Sequence, residues 1–418
     1  MVYITVKQEQ HQRQMSLEEL FYQEFNPHRF SSRNTSDTRT DIRNAPSAEL
    51  MRYVDIIGLI HKLTDFNEQT KELRECDRQE LYNTWFIPKK SGGRRRIDAP
   101  KLELITALRN LKSILEDDFG ALYHTAAFAY IKHRCTLDAV KRHQQNKSKW
   151  FLKLDLHDFF GSTTQEYVMK MFSMIFPFSE VVKIEAGKKQ LETALSLAFL
   201  NGGLPQGTPI SPTITNIMMI PVDHRLATTL RNFEVVRGAN EHFKEHLVYT
   251  RYADDFLISN EYSFDWKKVQ QYVLDVLKEF GAPFSVNTKK TRYGSSSGRN
   301  WNLGVMLNAD NEITVGYKRK KEFQRMAYQY VTESKSGNKW PLYEVQHLQG
   351  LYSYYHMVEP ETFDRIIKFM NEKYNADILA MIKADIFGNG TVATETVRRT
   401  TPTSYNVVEI EYDESIPF

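Results

Sequence analysis

Features of secreted and membrane proteins are scarce in this chain. Only two of its 418 residues are cysteine, Cys76 and Cys135. They lack metal-ligand spacing, and a structural disulfide between them is not expected. The N-terminal stretch is too polar for a signal peptide, and no apolar run approaches transmembrane length. The sequence therefore predicts a cytoplasmic protein that does not enter a membrane.

A large net charge is also lacking, since the formal charge is only +3. Any affinity for nucleic acid must then come from local basic patches. Aromatic residues, in contrast, are plentiful: 25 Phe and 22 Tyr suit a large core and also stacking on bases or sugars. The length suffices for two or three structural units, and the 41% of hydrophobic residues is ordinary for a globular protein.

Two adjacent carboxylates, Asp254 and Asp255, stand between two apolar, β-prone runs. The alternation on either side predicts two strands with the pair at the turn between them. Neighbouring aspartates repel each other at a half-buried turn, so stability alone does not account for them. A divalent cation would compensate their charge, because hard cations take carboxylate oxygens. Taken alone, however, such a pair is more often a polar turn than a metal site.

A third carboxylate, Asp155, follows the apolar run that begins at Trp150, as at the end of a buried central strand. A lone Asp in that place is usually a helix cap or a turn residue. Next to Asp254 and Asp255, it would complete a site for two divalent ions roughly 3.5–4 Å apart, the arrangement that catalyses phosphoryl transfer. Phe160 either borders the same pocket or belongs to the core.

Two further segments have the composition of ligand-binding loops. Residues 85–100 predict a strand, a Gly-Gly turn and a second strand, with five basic residues in eight positions. This hairpin is either a solvated tip or a finger that contacts phosphates. Residues 202–212 are dense in Gly and Pro and lead into a predicted helix. Glycine would let the backbone approach a ligand there, although one loop alone is a weak signal.

Three motifs occur in the order LKLDLHDFF (152–160), GLPQGTPISPTITN (203–216) and YTRYADD (249–255). With them the chain resembles prokaryotic reverse transcriptases of the group II intron, retron and defence-associated kind, from about residue 85 to about residue 307. The resemblance implies an α+β right-hand polymerase with fingers, an antiparallel palm sheet and a thumb. The expected division is a helical, RNA-binding extension (1–84), fingers and palm (85–315), a helical thumb (316–400) and a tail (401–418).

The resemblance also implies roles for individual residues. The catalytic residues are Asp155, Asp254 and Asp255, and together with Leu156 they form the site for two Mg²⁺ ions, with Mn²⁺ as an in vitro substitute. The implied nucleotide-binding residues are Arg94, Arg96, Phe160, Gln206, Gly207 and Lys290, where Phe160 is the gate against the ribose 2′-OH. The implied nucleic-acid contacts are Lys89, Lys90, Arg95, Tyr252, Gly304, Lys318, Arg319 and Lys320.

The implied activity is RNA-directed DNA polymerisation, in which dNTPs are used to copy a non-coding RNA into a DNA product. Residues 138–143 and 302–304 depart from the Asn-Ala-x-x-His and Val-Thr-Gly of retron enzymes. This favours a defence-associated, antiphage enzyme over a retron enzyme that makes msDNA. A non-catalytic RNA-binding scaffold is the alternative of another class. Further expected partners are a second copy of the chain or an accessory effector protein, and the priming hydroxyl stays open.

Overall fold

The structure is a computed structural model that describes residues 3–6, 13–16, 56–88, 92–116, 123–238, 241–296 and 304–388. The chain divides into two units, Met1–Gly294 and Ser295–Phe418. Arg292–Ser295, at the end of the first unit, is the last described strand that pairs with the central sheet. The border of palm and thumb expected near residue 315 stays a prediction.

The central sheet of the first unit has five strands. They are β5 (Trp150–His157), β8 (Val248–Tyr252), β9 (Asp255–Asn260), β11 (Ser285–Val286) and β12 (Arg292–Ser295). The strand order is β11-β5-β9-β8, and β12 also pairs with β5. The β5–β9 and β8–β9 pairs are antiparallel, as predicted for the strands around Asp254. The middle strands are rich in Val, Ile, Leu, Tyr and Phe because both faces of the sheet are covered.

Helices surround this sheet and enclose one core with it. They are α1 (Ile56–Gln69), α2 (Lys71–Glu75), α3 (Leu102–Glu116), α4 (Thr136–Gln145), α5 (Gln165–Phe172), α6 (Phe178–Lys183), α7 (Glu185–Ser196), α8 (Ser211–Met218), α9 (Ile220–Thr229) and α10 (Trp266–Glu279). Helix α10 illustrates the pattern: the Asp265 side chain accepts hydrogen bonds from two backbone N–H groups of the first turn. Its buried residues Val269, Val273, Val276 and Leu277 follow the helical repeat.

The basic hairpin predicted at residues 85–100 is present. Its strands are β3 (Tyr82–Pro88) and β4 (Arg94–Pro100), which pair antiparallel. Gly92 and Gly93 have φ values of 85° and 79°, a left-handed conformation that glycine adopts at little cost. The predicted contacts Lys89 and Lys90 lie outside the described residues.

The predicted helical extension differs from the structure at both of its ends. Tyr3–Val6 (β1) and Arg13–Ser16 (β2) form an antiparallel hairpin, in keeping with the β-branched residues of β1. Strand β3 begins at Tyr82, inside the stretch expected to be helical. Helices α1 and α2 agree with the prediction. A second small sheet holds β6 (Phe233–Arg237), β7 (Glu241–Glu245) and β10 (Ser263–Phe264), in the order β10-β6-β7.

The second unit is mainly helical, as expected for a thumb. It contains β13 (Met306–Leu307), β14 (Ile313–Thr314), α11 (Tyr317–Lys335), α12 (Leu342–Val358), α13 (Pro360–Tyr374) and α14 (Ile378–Phe387). Phe323, Tyr355 and Phe363 form its aromatic centre, with Phe323 and Phe363 ring centroids 5.2 Å apart. The tail 401–418 lies outside the described residues. In the described part of the chain, no helix has the length and hydrophobicity to cross a membrane.

Candidate active site

Three aspartates meet at one end of the central sheet. Asp155 on β5 lies directly opposite Asp255 on β9 in the antiparallel register. Asp254 precedes Asp255, and its carbonyl oxygen accepts a hydrogen bond of 3.0 Å from the backbone N–H of Leu156. Because Tyr252 pairs with Asp255, only Ala253 and Asp254 form the turn between the strands. The structure thus brings together the three carboxylates that the sequence assigned to one site.

Lysines pair with two of these carboxylates. Lys290 Nζ is 2.8 Å from Asp155 Oδ1, and Lys153 Nζ is 2.6 Å from Asp255 Oδ2. Lys290 was assigned to the nucleotide, and the structure places its ammonium in contact with the first aspartate. Lys153 was not assigned any role. Its signal in the sequence is its position two residues before Asp155, because alternate residues of a strand share one face.

Asp254 experiences the negative charge of its neighbours. Burial raises the pKa of Asp254 to about 6, Asp255 and Asp155 contribute to the increase, and Lys290 opposes it. Among the described residues, no group of three or more His, Cys, Asp or Glu side chains is already arranged around a metal position. The donor set nevertheless fits Mg²⁺, since it consists of carboxylate oxygens, which hard cations prefer, and its three carboxylates outnumber the two lysines paired with them. The carbonyl of Leu156 would be a further oxygen ligand.

The loop of the second motif lies against β4 of the basic hairpin. The Asp98 N–H donates a hydrogen bond of 2.8 Å to the Gln206 carbonyl. Gly207 has a φ of 120°, and a Cβ added there would lie 3.0 Å from the Asp98 carbonyl oxygen. Only glycine therefore combines this backbone conformation with so close an approach. The assigned residues Gln206 and Gly207 thus connect the basic hairpin to the palm.

Phe160 is half-buried beside the same loop. Its carbonyl accepts a hydrogen bond of 3.0 Å from the Leu204 N–H, and its ring lies edge-on to that of Phe159 with 5.5 Å between centroids. Phe159 itself belongs to the core. The sequence left open whether Phe160 borders the pocket or fills the core, and the structure has its ring packed on the core with one part exposed.

The assigned arginines of the hairpin differ in their surroundings. Arg94 and Arg95 are exposed. Arg96 Nε donates a hydrogen bond of 2.8 Å to Asp98 Oδ1, which also accepts one of 2.6 Å from the Thr84 hydroxyl. Arg96 is exposed as well, but its side chain has a partner within the hairpin.

Two of the contacts assigned to the second unit are engaged within it. Lys320 Nζ is 2.6 Å from a carboxylate oxygen of Glu359. The Arg319 guanidinium donates a hydrogen bond to the Gly304 carbonyl. Lys318 is exposed. Among the three basic residues of α11 assigned to nucleic acid, Lys318 is exposed, whereas Arg319 and Lys320 are partly buried.

The comparison with known proteins decides the family. The family model "Reverse transcriptase (RNA-dependent DNA polymerase)" matches residues 87–325, more than half of the chain. The chain belongs to the reverse transcriptase family. This confirms the family expected from the three motifs and the right-hand polymerase fold.

Individual relatives agree with this assignment. Retron Ec73 reverse transcriptase from Escherichia coli is 31% identical over 221 residues, which are 51% of this chain and 64% of the relative. Retron Ec83 reverse transcriptase from the same organism is 28% identical over 309 residues, 72% of this chain and 89% of the relative. The match to Ec73 thus spans less than two thirds of that relative. The solved structure of apo telomerase from Candida tropicalis aligns with a TM-score of 0.40 and 14% identity, over 73% of this chain and 61% of that one.

A buried ionic network lies beneath the Asp254–Asp255 turn. Arg251 is fully buried, and its Nε and Nη2 atoms donate to Asp223 at 2.9 and 2.8 Å. Its Nη1 donates to Asn216 Oδ1 at 3.1 Å and to the Ala253 carbonyl at 3.3 Å. The Tyr249 hydroxyl also donates to Asp223, at 2.8 Å. This network connects the Asp254–Asp255 turn to α8 and α9.

Ala253 shows why the turn needs such support. Its φ is 57°, a left-handed conformation that costs a residue other than glycine roughly 1–2 kcal/mol. The Arg251 hydrogen bond holds the carbonyl of this same residue. Neither Arg251 nor Asp223 was assigned from the sequence. The available signal was a charged residue in the middle of an otherwise apolar strand, just before the aspartate pair.

Proposed function

We propose that this chain is an RNA-directed DNA polymerase that copies a non-coding RNA template into DNA from dNTPs. The observation that carries the proposal is the convergence of Asp155, Asp254 and Asp255 at one end of the sheet, in a chain of the reverse transcriptase family. When bound, two Mg²⁺ ions, or Mn²⁺ in vitro, would activate the primer hydroxyl and neutralise the leaving pyrophosphate. Asp155, Leu156, Asp254 and Asp255 would hold them.

Residues around the aspartates would orient the substrates. The Lys290 ammonium, 2.8 Å from Asp155, places positive charge where the triphosphate must approach, which favours departure of pyrophosphate. Exposed Arg94 and Arg95 on the basic hairpin suit contacts to phosphates. The turn at Gln206 and Gly207 offers backbone to the incoming nucleotide. Exposed Lys318, with Lys89, Lys90, Arg319 and Lys320, would contribute to contacts with the template–primer.

The choice of deoxynucleotides is proposed to depend on Phe160. Replacing it with alanine should raise the incorporation of ribonucleotides relative to dNTPs by about tenfold or more, because a few kcal/mol of steric discrimination disappears. Single-nucleotide extension with matched dNTP and rNTP measures this ratio. Phe160→Tyr is the control, since it keeps the ring and should keep the discrimination. Unchanged sugar selectivity in Phe160→Ala would remove Phe160 from this role.

The biological use of the product is proposed to be antiphage defence. The similarity to retron Ec73 and Ec83 reverse transcriptases favours a second candidate, a retron enzyme that makes msDNA. Both require a cytoplasmic enzyme that copies one non-coding RNA. Either use is compatible with a second copy of the chain or an accessory effector protein as a partner, and with the extension 1–84 as a surface for RNA.

Sequencing the RNA and DNA that copurify with the chain, together with phage plating, tests these uses. DNA complementary to one copurified RNA, and loss of phage protection in the Asp254→Ala/Asp255→Ala variant, support the defence enzyme. A single short DNA without any effect on plating supports the msDNA candidate. Full protection by the double variant, with no complementary DNA, would instead indicate a non-catalytic RNA-binding scaffold.

A further inference from the structure

A short loop beside the catalytic turn ends in an exposed aromatic residue. Ala126, Ala127, Phe128 and Ala129 are all buried, and Tyr130 directly after them is 58% exposed. Tyr130 has a φ of 61°. Left-handed backbone is disfavoured for a bulky residue and persists only where surrounding contacts hold it. The contacts around the loop therefore hold Tyr130 in an unfavourable backbone conformation, with its ring largely exposed to solvent.

The contacts that hold this loop come from the catalytic strand itself. The Arg251 N–H donates to the Ala126 carbonyl at 2.7 Å, and the Phe128 N–H donates to the Arg251 carbonyl at 2.9 Å. Asn216, which accepts from the Arg251 side chain, donates through Nδ2 to the Ala129 carbonyl at 2.8 Å. The loop and the Asp254–Asp255 turn are thus attached to the same arginine, so the position of Tyr130 is fixed relative to the aspartates.

The pairing of this loop with β8 places Tyr130 near the aspartates. Ala127 forms a β-bridge with Arg251, two residues before Ala253 of the Asp254–Asp255 turn. Tyr130 follows Ala127 by three residues, and a template–primer bound at the aspartates would pass close to it.

We propose that Tyr130 is a nucleotide-stacking residue, whose ring packs on a base of the template–primer bound at the aspartates. The proposal rests on the proposed function of the site. Base–aromatic stacking does not depend on sequence, which suits an enzyme that must copy every base. An exposed ring is stabilised little by packing against the protein core. A flat hydrophobic surface in a fixed position is stabilised most by packing against another flat ring.

Binding measurements on the full chain test this contact. A fluorescently labelled DNA primer on an RNA template is titrated in buffer with EDTA, so that affinity is read by anisotropy without catalysis. Tyr130→Ala should bind about tenfold more weakly, whereas Tyr130→Phe should stay within about twofold of the wild type, because stacking requires the ring and not the hydroxyl. Ile184→Ala, which truncates an exposed apolar side chain between α6 and α7, is the matched control and should bind like the wild type.

Abasic substitutions identify the strand. One template lacks the base to be copied, and one primer lacks its terminal base. On the abasic substrate that lacks the stacked base, the wild type and Tyr130→Ala should have equal affinities. On the other abasic substrate, Tyr130→Ala should still bind about tenfold more weakly than the wild type. Equal affinities of the wild type and Tyr130→Ala on the intact duplex, or a tenfold difference that neither abasic substrate removes, would overturn the proposal.

A failure of the stacking proposal can be distinguished from a failure of the proposed polymerase function. If the wild type incorporates dNTPs in an aspartate-dependent way but Tyr130→Ala binds normally, the stacking contact is wrong and the polymerase assignment stands. If Tyr130→Ala loses affinity in a chain that never incorporates nucleotides, the contact stands and the polymerase assignment fails. Circular dichroism of each variant shows whether lost affinity reflects lost folding.

Discussion

Lys153 and Lys290 give the aspartate site a positive charge of its own. Each ammonium neutralises one carboxylate, Asp255 for Lys153 and Asp155 for Lys290. A divalent cation that binds the carboxylates must therefore compete with the lysines. The affinity for metal is set by this competition as well as by the number of aspartates.

Replacing Lys153 with methionine should tighten binding of Mn²⁺, on the order of tenfold, because a positive charge next to the cation disappears. Titration of the free protein followed by electron paramagnetic resonance measures this affinity without any turnover. Lys149→Met is the control, since Lys149 pairs with Glu261 at 3.4 Å near the other end of β5. Equal or weaker Mn²⁺ binding in Lys153→Met would show that the lysine does not compete with the metal.

Among individual residues, the sequence predicts the three aspartates better than the lysines that pair with them. Asp155, Asp254 and Asp255 stand out because an apolar strand pattern ends at each of them. Lys153 looks like any polar residue of a strand, since alternation gives only the face it shares with Asp155. Arg96 is a similar case. Three consecutive arginines indicate a basic tip, but they do not indicate that one of them donates a hydrogen bond to Asp98.

The β8–β9 hairpin depends on elements on both of its faces. Arg251 faces α9 through Asp223, and the preceding residue Thr250 accepts or donates a hydrogen bond of 2.8 Å with His143 of α4. Successive residues of β8 thus anchor the hairpin in opposite directions. The position of the Asp254–Asp255 turn consequently depends on α4 and α9 as well as on the sequence of the hairpin itself.

Arg251→Met should lower the free energy of unfolding by about 3–5 kcal/mol, because Asp223 is left buried without its cationic partner and keeps only the hydrogen bond from the Tyr249 hydroxyl. The double variant Arg251→Met/Asp223→Leu should lose less than the single variant, since no buried charge remains. Urea denaturation of both, with the Asp223→Leu single variant, completes the cycle. Lys183→Met removes an exposed pair with Glu180 and should change stability by at most about 1 kcal/mol. A double variant that is less stable than both single variants would contradict this account.

Elements defined by local patterns are predicted from the sequence, and those defined by distant partners are not. The β3–β4 and β8–β9 hairpins follow from turn residues and alternation. A charged residue in an apolar strand reads as facing solvent, and only the arrangement of α8 and α9 shows that Arg251 is buried. The hairpin of β1 and β2 was missed because polar residues dominate that stretch.

For the molecule as a whole, acid should weaken folding through a buried histidine. Burial, with a smaller effect of Arg142, lowers the pKa of His143 to about 3, and both ring nitrogens have hydroxyl partners, Ser259 at 2.5 Å and Thr250 at 2.8 Å. An unfolded histidine has a pKa near 6.5. Between these values the unfolded chain binds the additional proton, so stability falls as the pH falls.

The contribution of His143 should approach about 1.4 kcal/mol per pH unit between pH 6 and pH 4. Urea denaturation across this range measures the slope for the wild type and for His143→Gln, which cannot titrate. The slope of the variant should be smaller by about that amount. His133→Gln, which replaces an exposed histidine, is the matched control. Identical slopes for the wild type and His143→Gln would show that His143 is not held neutral.

For the whole molecule, the sequence predicts the order in which the structural units follow one another. Hairpin, palm and helical second unit follow one another as the motifs imply. The end of the first unit at Gly294 has no local signal in the sequence, because it depends on the long-range pairing of Arg292–Ser295 with β5. The separate tail expected at residues 401–418 lies outside the described residues and stays a prediction.

Primer extension on an RNA template tests the central claim most directly. The wild type should add dNTPs in the presence of Mg²⁺, and Asp254→Asn/Asp255→Asn should lose at least about a thousandfold in rate, because the carboxylates that hold the cations are neutralised. Asp158→Asn replaces a nearby carboxylate outside the site and is the matched control. The double variant should keep its thermal unfolding and its binding of template–primer. Undiminished dNTP incorporation by a folded Asp254→Asn/Asp255→Asn variant would contradict the account.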